Sequence, residues 1–218
     1  MKRKPGRPTE KQAINRADVL WLALKMFAEK GFGGVSMTAL AKECGMTDPN
    51  LYHHFGKKED MWKSALTMVG DMIRDELDRQ AKLIGHLDGI EQLRITFKQI
   101  VFISARYPEF QQIVVQEMFS KSERSRWLIE TLLTPIYTHM DALRQAEQTA
   151  GRIKAYPAAN LSSFIIGSIT TLFSRSYQME TQYGVNPFDE SEVAQHAELI
   201  SDLLFMGMLT DQGEKFDT

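Results

Sequence analysis

The sequence predicts an all-α protein: an N-terminal three-helix helix-turn-helix domain followed by a helical body, about nine helices in all. Three observations carry this reading. No stretch sustains an alternation of β-branched and polar residues, and no hairpin turn joins two such stretches. Apolar residues recur instead at three- and four-residue spacing along most of the 218 positions. Glycine and proline divide that pattern into segments of helical length.

Taken in order, the first helix is expected from Thr9, a capping residue, with Lys11 onward inside and Val19, Leu20, Ala23, Met26 and Phe27 on its apolar face. Gly31-Phe32-Gly33-Gly34 ends it. A short helix opens after Ser36, runs to about Cys44 and is closed by Gly45. A second starts at Thr47, reaches about His54 and is closed by Gly56. A long fourth helix fits Glu59 to about Ile84, and others fit 89–106, 108–120, 122–149, 157–182 and 189–210. Pro135 is expected to kink or split the seventh, because it lacks an amide donor and crowds the preceding turn. The domains read as a flexible basic arm (1–10), a helix-turn-helix domain (11–60), a body for effector binding and dimerisation (61–211), and a frayed tail (212–218).

Composition narrows the class. Hydrophobic residues at 43% and charged residues at 25% suit a folded globular chain rather than a disordered one. The longest apolar run, Leu203 to Leu209, is far shorter than the roughly 18 residues of a membrane span. The opening MKRKPGRPTEK has no apolar stretch of the kind a signal peptide needs, so a cytoplasmic location is expected. Cys44 is the only cysteine, which excludes an internal disulfide and reads as a small buried hydrophobe. The net charge of −2 hides an asymmetry: residues 1–63 carry +5 and the remainder −7. A basic head on an acidic body suits a polyanionic partner at one end.

The most informative segment is Ser36–Phe55, SMTALAKECGMTDPNLYHHF. Two short helices joined by a tight turn with glycine are the helix-turn-helix pattern. Leu40, Ala41 and Cys44 make one inner face, Met46 plugs the turn, and Leu51, Tyr52 and Phe55 make the other. The second helix opens with groups suited to DNA. Thr47 can cap it and offer a hydroxyl to a phosphate, and Pro49 falls in the first turn, where a missing amide costs little. Asn50 can pair with adenine, and His53 can donate to a base edge or phosphate. Lys57 and Lys58 are placed to neutralise backbone charge. Asp48 is unusual on a phosphate-facing surface. It complements the helix dipole or accepts from cytosine N4. The adjacent His53 and His54 point about 100° apart, which is poor geometry for a metal pair, and no metal site or cofactor is expected.

On these residues the chain resembles the tetR family of regulators. The matching pieces are Phe27-x-x-Lys30-Gly31-Phe32, Ser36-Met37-x-x-Leu40-Ala41-x-x-x-Gly45-Met46-Thr47, Leu51-Tyr52-His53-His54-Phe55 and Lys58-Glu59, within the run from Ala13 to Leu66. The resemblance implies that Thr47, Tyr52, His53 and Lys58 touch backbone or bases, with Tyr52 on a phosphate; Ser36 is a further candidate for a DNA contact. It also implies a body whose last two helices pair with those of a second subunit. Upstream, Pro5-Gly6-Arg7-Pro8 resembles an AT-hook, which would place Arg3 and Arg7 in a narrow minor groove.

A helix-turn-helix protein generally binds as a dimer, so the body must supply an interface. Candidates are Leu161, Phe164, Gly167 and Ile169 on one C-terminal stripe, and Leu199, Leu203, Met206 and Gly207 on the other. A sensor also needs a pocket. Met68, Met72, Phe97, Val101, Phe110, Met118, Trp127, Tyr137, Phe173 and Tyr177 offer flexible, aromatic walls for an apolar or amphipathic effector. The segment from Arg106 through Trp127 resembles the sensor domains of some tetR-type regulators of lipid or pyrimidine metabolism. The expected function is a homodimeric repressor released from a double-stranded operator by a small effector. The alternative is an effector-independent or architectural DNA-binding protein. No phosphate-binding loop, H-E-x-x-H or nucleophile elbow is present, so an enzyme is not expected.

Overall fold

A computed structural model describes residues 15–211. The basic arm with Arg3 and Arg7, the helix start at Thr9 and Lys11, and the tail at 212–218 lie outside the described residues. The described chain is helical, and its β geometry is one isolated bridge, Ile153 to Leu209. It divides into two compact units, Met1–Met68 and Val69–Thr218.

The first unit holds α1 (Arg16–Gly34), α2 (Met37–Glu43), α3 (Asp48–Phe55) and the start of α4 (Lys58–Ile84). Asn15 sits in extended geometry and its side chain accepts the Ala17 amide at 3.1 Å, so α1 opens at Arg16. Asparagine is among the strongest N-capping residues, which is why the helix begins there. Helical geometry breaks at Gly31, φ 68° and ψ 165°. Ser36 caps α2 by accepting the Ala39 amide at 3.1 Å. Gly45 then takes φ 65°, a left-handed conformation that a Cβ would strain, and the chain turns into α3. Leu24, Phe27, Leu40, Leu51 and Trp62 are fully buried and form the centre of this unit. Cys44 is half-buried, and burial with the neighbouring Glu43 pushes its thiol up.

The second unit is built around α5 (Gly89–Arg106), which packs on α8 (Thr134–Thr149), α9 (Ala158–Ser174) and α11 (Glu190–Met208). Between α5 and α8 run α6 (Pro108–Met118), α7 (Glu123–Trp127) and a π-helical segment, Leu128–Leu133. The stretch expected as one helix over 122–149 is therefore three segments. Pro135, in the first turn of α8, cannot donate to the preceding turn, and the wide π turn lies immediately ahead of it. The stretch expected over 157–182 is two helices, α9 and α10 (Ser176–Tyr183), separated at Arg175. Ser174 donates its hydroxyl to the carbonyls of Thr170 (3.1 Å) and Thr171 (3.3 Å), competing with the backbone where the helix ends.

One buried charge cluster fastens this unit. Asp88 caps α5, accepting the amides of Ile90 (2.9 Å) and Glu91 (3.2 Å). Beside it the buried Glu147 carboxylate accepts Arg152 Nε at 2.5 Å and Nη2 at 2.6 Å. A Cβ on Gly89 would lie 1.9 Å from Glu147 Oε1, so any other residue there would force the carboxylate to move.

Candidate nucleic-acid interface

α3 presents two different faces. Leu51 and Phe55 are buried and fix the helix on the rest of its unit. Pro49, Asn50, Tyr52, His53 and His54 are exposed, and Asp48 is half-buried. Thr47 stands at the N-cap in extended geometry, and its hydroxyl makes no capping bond. A helix N-terminus with its orphan amides and an uncommitted hydroxyl is a ready site for a phosphate.

Two neighbours hold this helix in place. Thr38 Oγ1 donates to Asp48 Oδ2 at 2.6 Å, tying α2 to the start of α3. Arg16 Nη1 donates to the His54 carbonyl at 2.8 Å, and its guanidinium lies 4.7 Å from the centre of the Phe55 ring. The start of α4 is braced by Asp60, whose Oδ2 accepts the Lys57 amide at 2.8 Å.

The two lysines part company. Lys57 has an exposed side chain. Lys58 Nζ donates to the carbonyls of Phe32 (2.9 Å) and Val35 (3.0 Å) and sits 4.3 Å from the centre of the Phe32 ring. Lys58, expected to neutralise backbone charge, has its ammonium committed here to the turn after α1. Ser36, likewise, is occupied as the α2 cap, although it remains exposed. Arg16 was not foreseen, because an arginine in the first turn of a helix carries no local signal of a partner 38 positions away.

Of the ten expected pocket residues, Met68 belongs to the first unit and the other nine to the second, where they do not line one cavity. Phe97, Val101 and Phe173 belong to the central core, and Met72, Met118 and Tyr177 are exposed. Met68 and Trp127 are half-buried and line neither cavity described here. Phe110 and Tyr137 do meet, in a cavity of about 20 Å³ that they share with Ile73, Ile103, Gln111 and Leu133. That volume suits about one water molecule. Desolvation pushes the Tyr137 phenol up to about 12. Gln111 lends the cavity its amide, with Nε2 donating to Ser104 Oγ at 3.4 Å.

The C-terminal stripes also split. Leu161 and Ile169 are buried in the core of their own unit, where the inner faces of α9 and α11 meet. Phe164, Leu199, Leu203 and Met206 are exposed, the last at 76%. Gly167 and Gly207 have open space where a side chain would be. A groove of about 380 Å³ runs along this surface between α9 and α11, lined by Tyr156, Asn160, Phe164 and Leu203 among others.

Among the described residues no cluster of histidine, cysteine or carboxylate side chains could hold a metal ion, and no helix is long and apolar enough to cross a membrane.

Residues 19–65 match the family described as bacterial regulatory proteins, tetR family. The chain is 30% identical over 128 residues to the transcriptional repressor KstR2 of Mycobacterium tuberculosis, a match covering 52% of this chain and 62% of that protein. It is 23% identical over 173 residues to the nucleoid occlusion factor SlmA of Vibrio atlanticus, covering 78% of this chain and 87% of that one. The KstR2 structure superposes with a TM-score of 0.71 at 17% identity, covering 94% of this chain and all of that one. The transcriptional regulator FadR of Bacillus subtilis, solved in complex with stearoyl-CoA, superposes with a TM-score of 0.66 at 17% identity, over 88% of this chain and 99% of that one.

Proposed function

We infer from this chain's membership of the tetR family of bacterial regulatory proteins, which makes it a DNA-binding transcription regulator, that it works as a homodimeric repressor in the cytoplasm. The observation that carries the DNA reading is α3. Its inner face is locked while Asn50, Tyr52 and His53 stand exposed beside an uncommitted Thr47 hydroxyl. In this reading Asn50 and His53 meet base edges, and Thr47, Tyr52 and Lys57 meet phosphates, joined by Arg3 and Arg7 of the arm. Two copies then address half-sites about 34–36 Å apart.

The second copy docks on the surface of α9 and α11. Phe164, Leu199, Leu203 and Met206 make an exposed apolar surface of a kind that marks an interface, and the groove between the helices receives side chains of the partner.

The effector is an apolar or amphipathic molecule entering beside Tyr137 and Gln111, in keeping with the acyl and steroid chemistry in the names of FadR and KstR2. A cavity of about 20 Å³ is closed to such a molecule. Binding therefore requires an opened form of the body, and the effector releases DNA only if that form holds DNA less well. A second reading, a DNA-binding protein that answers to no small molecule, draws on that same closed cavity.

The experiment selects duplexes from a random pool with the full chain, then titrates long-chain acyl-CoA and steroid-CoA compounds against the selected duplex. Reciprocal weakening of DNA and effector binding by one factor is expected. Effector affinity indifferent to DNA removes the coupling, failure of every lipid favours the second reading, and no duplex binding at low salt removes both.

A further inference from the structure

We propose that Asp48 is a specificity-determining residue of the recognition helix, held in register by Thr38 to accept the amino group of a cytosine in the major groove. The proposal rests on the DNA-binding reading above and assigns a role within it to a residue that works against non-specific affinity.

Asp48 is the first residue of α3, at the end of a recognition helix that contacts base edges. Its carboxylate does not cap the helix: among the described residues its hydrogen-bond partner is Thr38, through Oδ2 at 2.6 Å. A charge that served only the helix dipole would need no fixed rotamer, because that attraction is long-ranged compared with a hydrogen bond. Here the side chain is tied to α2, and ordering an exposed pair costs conformational entropy. The tie engages one oxygen and leaves Oδ1 as an acceptor in a defined position.

The chemistry of that acceptor selects its partner. A carboxylate next to phosphates is repelled, so Asp48 lowers affinity for every duplex unless a base donor meets it. The major groove presents two such donors, cytosine N4 and adenine N6. Adenine carries the acceptor N7 beside its amino group, which opposes a second anion, whereas cytosine offers its amino group without a neighbouring acceptor on the same base. Pro49 and Asn50, exposed on the same turn, leave the approach open.

The test is selection from a random duplex pool by the full chain and by three variants, with enrichment read position by position. The natural chain is expected to enrich cytosine at one position in each half-site by about tenfold. Asp48→Ala loses that enrichment alone and binds unrelated duplexes more tightly. Asp48→Asn transfers it to adenine, whose N6 and N7 an amide can meet together. Thr38→Val keeps the base and reduces the enrichment severalfold. If Asp48→Ala disturbs folding, as read by circular dichroism, the near-isosteric Asp48→Asn carries the test. Both Asp48 variants enriching the natural motif unchanged would defeat the proposal and leave the DNA-binding reading standing. A natural chain that enriches no motif defeats that reading first, and the proposal with it.

Discussion

Exchanging the adjacent lysines 57 and 58, one at a time, separates a DNA contact from a fold contact. Lys58→Met keeps the aliphatic stem and removes the ammonium that bridges the Phe32 and Val35 carbonyls. A hydrogen bond to a charged group contributes about 1.5–3 kcal/mol when buried. This site is partly open to solvent, so half of that is a fair figure for each of the two bonds. The ammonium over the Phe32 ring adds about 0.5 kcal/mol. Lys58→Met should therefore lower unfolding stability by about 2–3 kcal/mol in urea, while the slope of log binding constant against log salt stays as it was. Lys57→Ala should do the reverse. Stability should hold within about 0.5 kcal/mol, and the salt slope should flatten by about 0.9, the share of one phosphate. Should Lys58→Met flatten the slope at full stability, the assignment of its ammonium to the turn after α1 is wrong.

Three further outcomes are expected. Gly89→Ala puts a methyl group where the Glu147 carboxylate lies and forces it off Arg152, a loss of about 2–3 kcal/mol in urea unfolding; unchanged stability would mean that the buried pair is not needed. Leu203→Glu, on the exposed face of α11, should weaken self-association about 100-fold in sedimentation equilibrium without loss of helicity, and an undiminished dimer would move the interface elsewhere. His196, whose Nε2–H donates to the Ile169 carbonyl at 3.2 Å, has its pKa lowered chiefly by burial. The unfolded imidazole takes up a proton near pH 6.5 that the folded one declines, so stability is full above that pH and declines below it. His196→Gln should shrink the stability difference between pH 7.5 and 5.5, and an identical difference would exclude His196 as its source.

The head of the protein was legible because its signals are local. Ser36 and Thr47 stand at helix caps, Gly45 at a positive-φ turn, and Leu40, Leu51 and Phe55 at inward helical spacing, all within twenty residues. What escaped was set by contacts between distant positions. Arg16 with His54, Thr38 with Asp48 and Gly89 with Glu147 leave no periodicity to read. The pocket was illegible for a different reason. Methionine and aromatic residues at helical spacing look alike whether they fill a core, as Phe97 and Phe173 do, or border a cavity, as Phe110 and Tyr137 do. The break at Arg175 was hidden because neither glycine nor proline marks it, only the Ser174 hydroxyl turned back on its own helix.

The π segment at Leu128–Leu133 changes what the body can tolerate in its length. A turn closed by i to i+5 bonds holds one residue more than an ordinary α turn. Removing a single residue between 128 and 133 would let the turn tighten to regular α geometry, with the flanking helices still showing their inward faces to the core. The same deletion within α5 would swing every later side chain of that helix by about 100° and carry its apolar stripe away from the core. Related chains one residue shorter in this region could thus keep the same packing, and an aligned gap is expected at the wide turn rather than in the central helix.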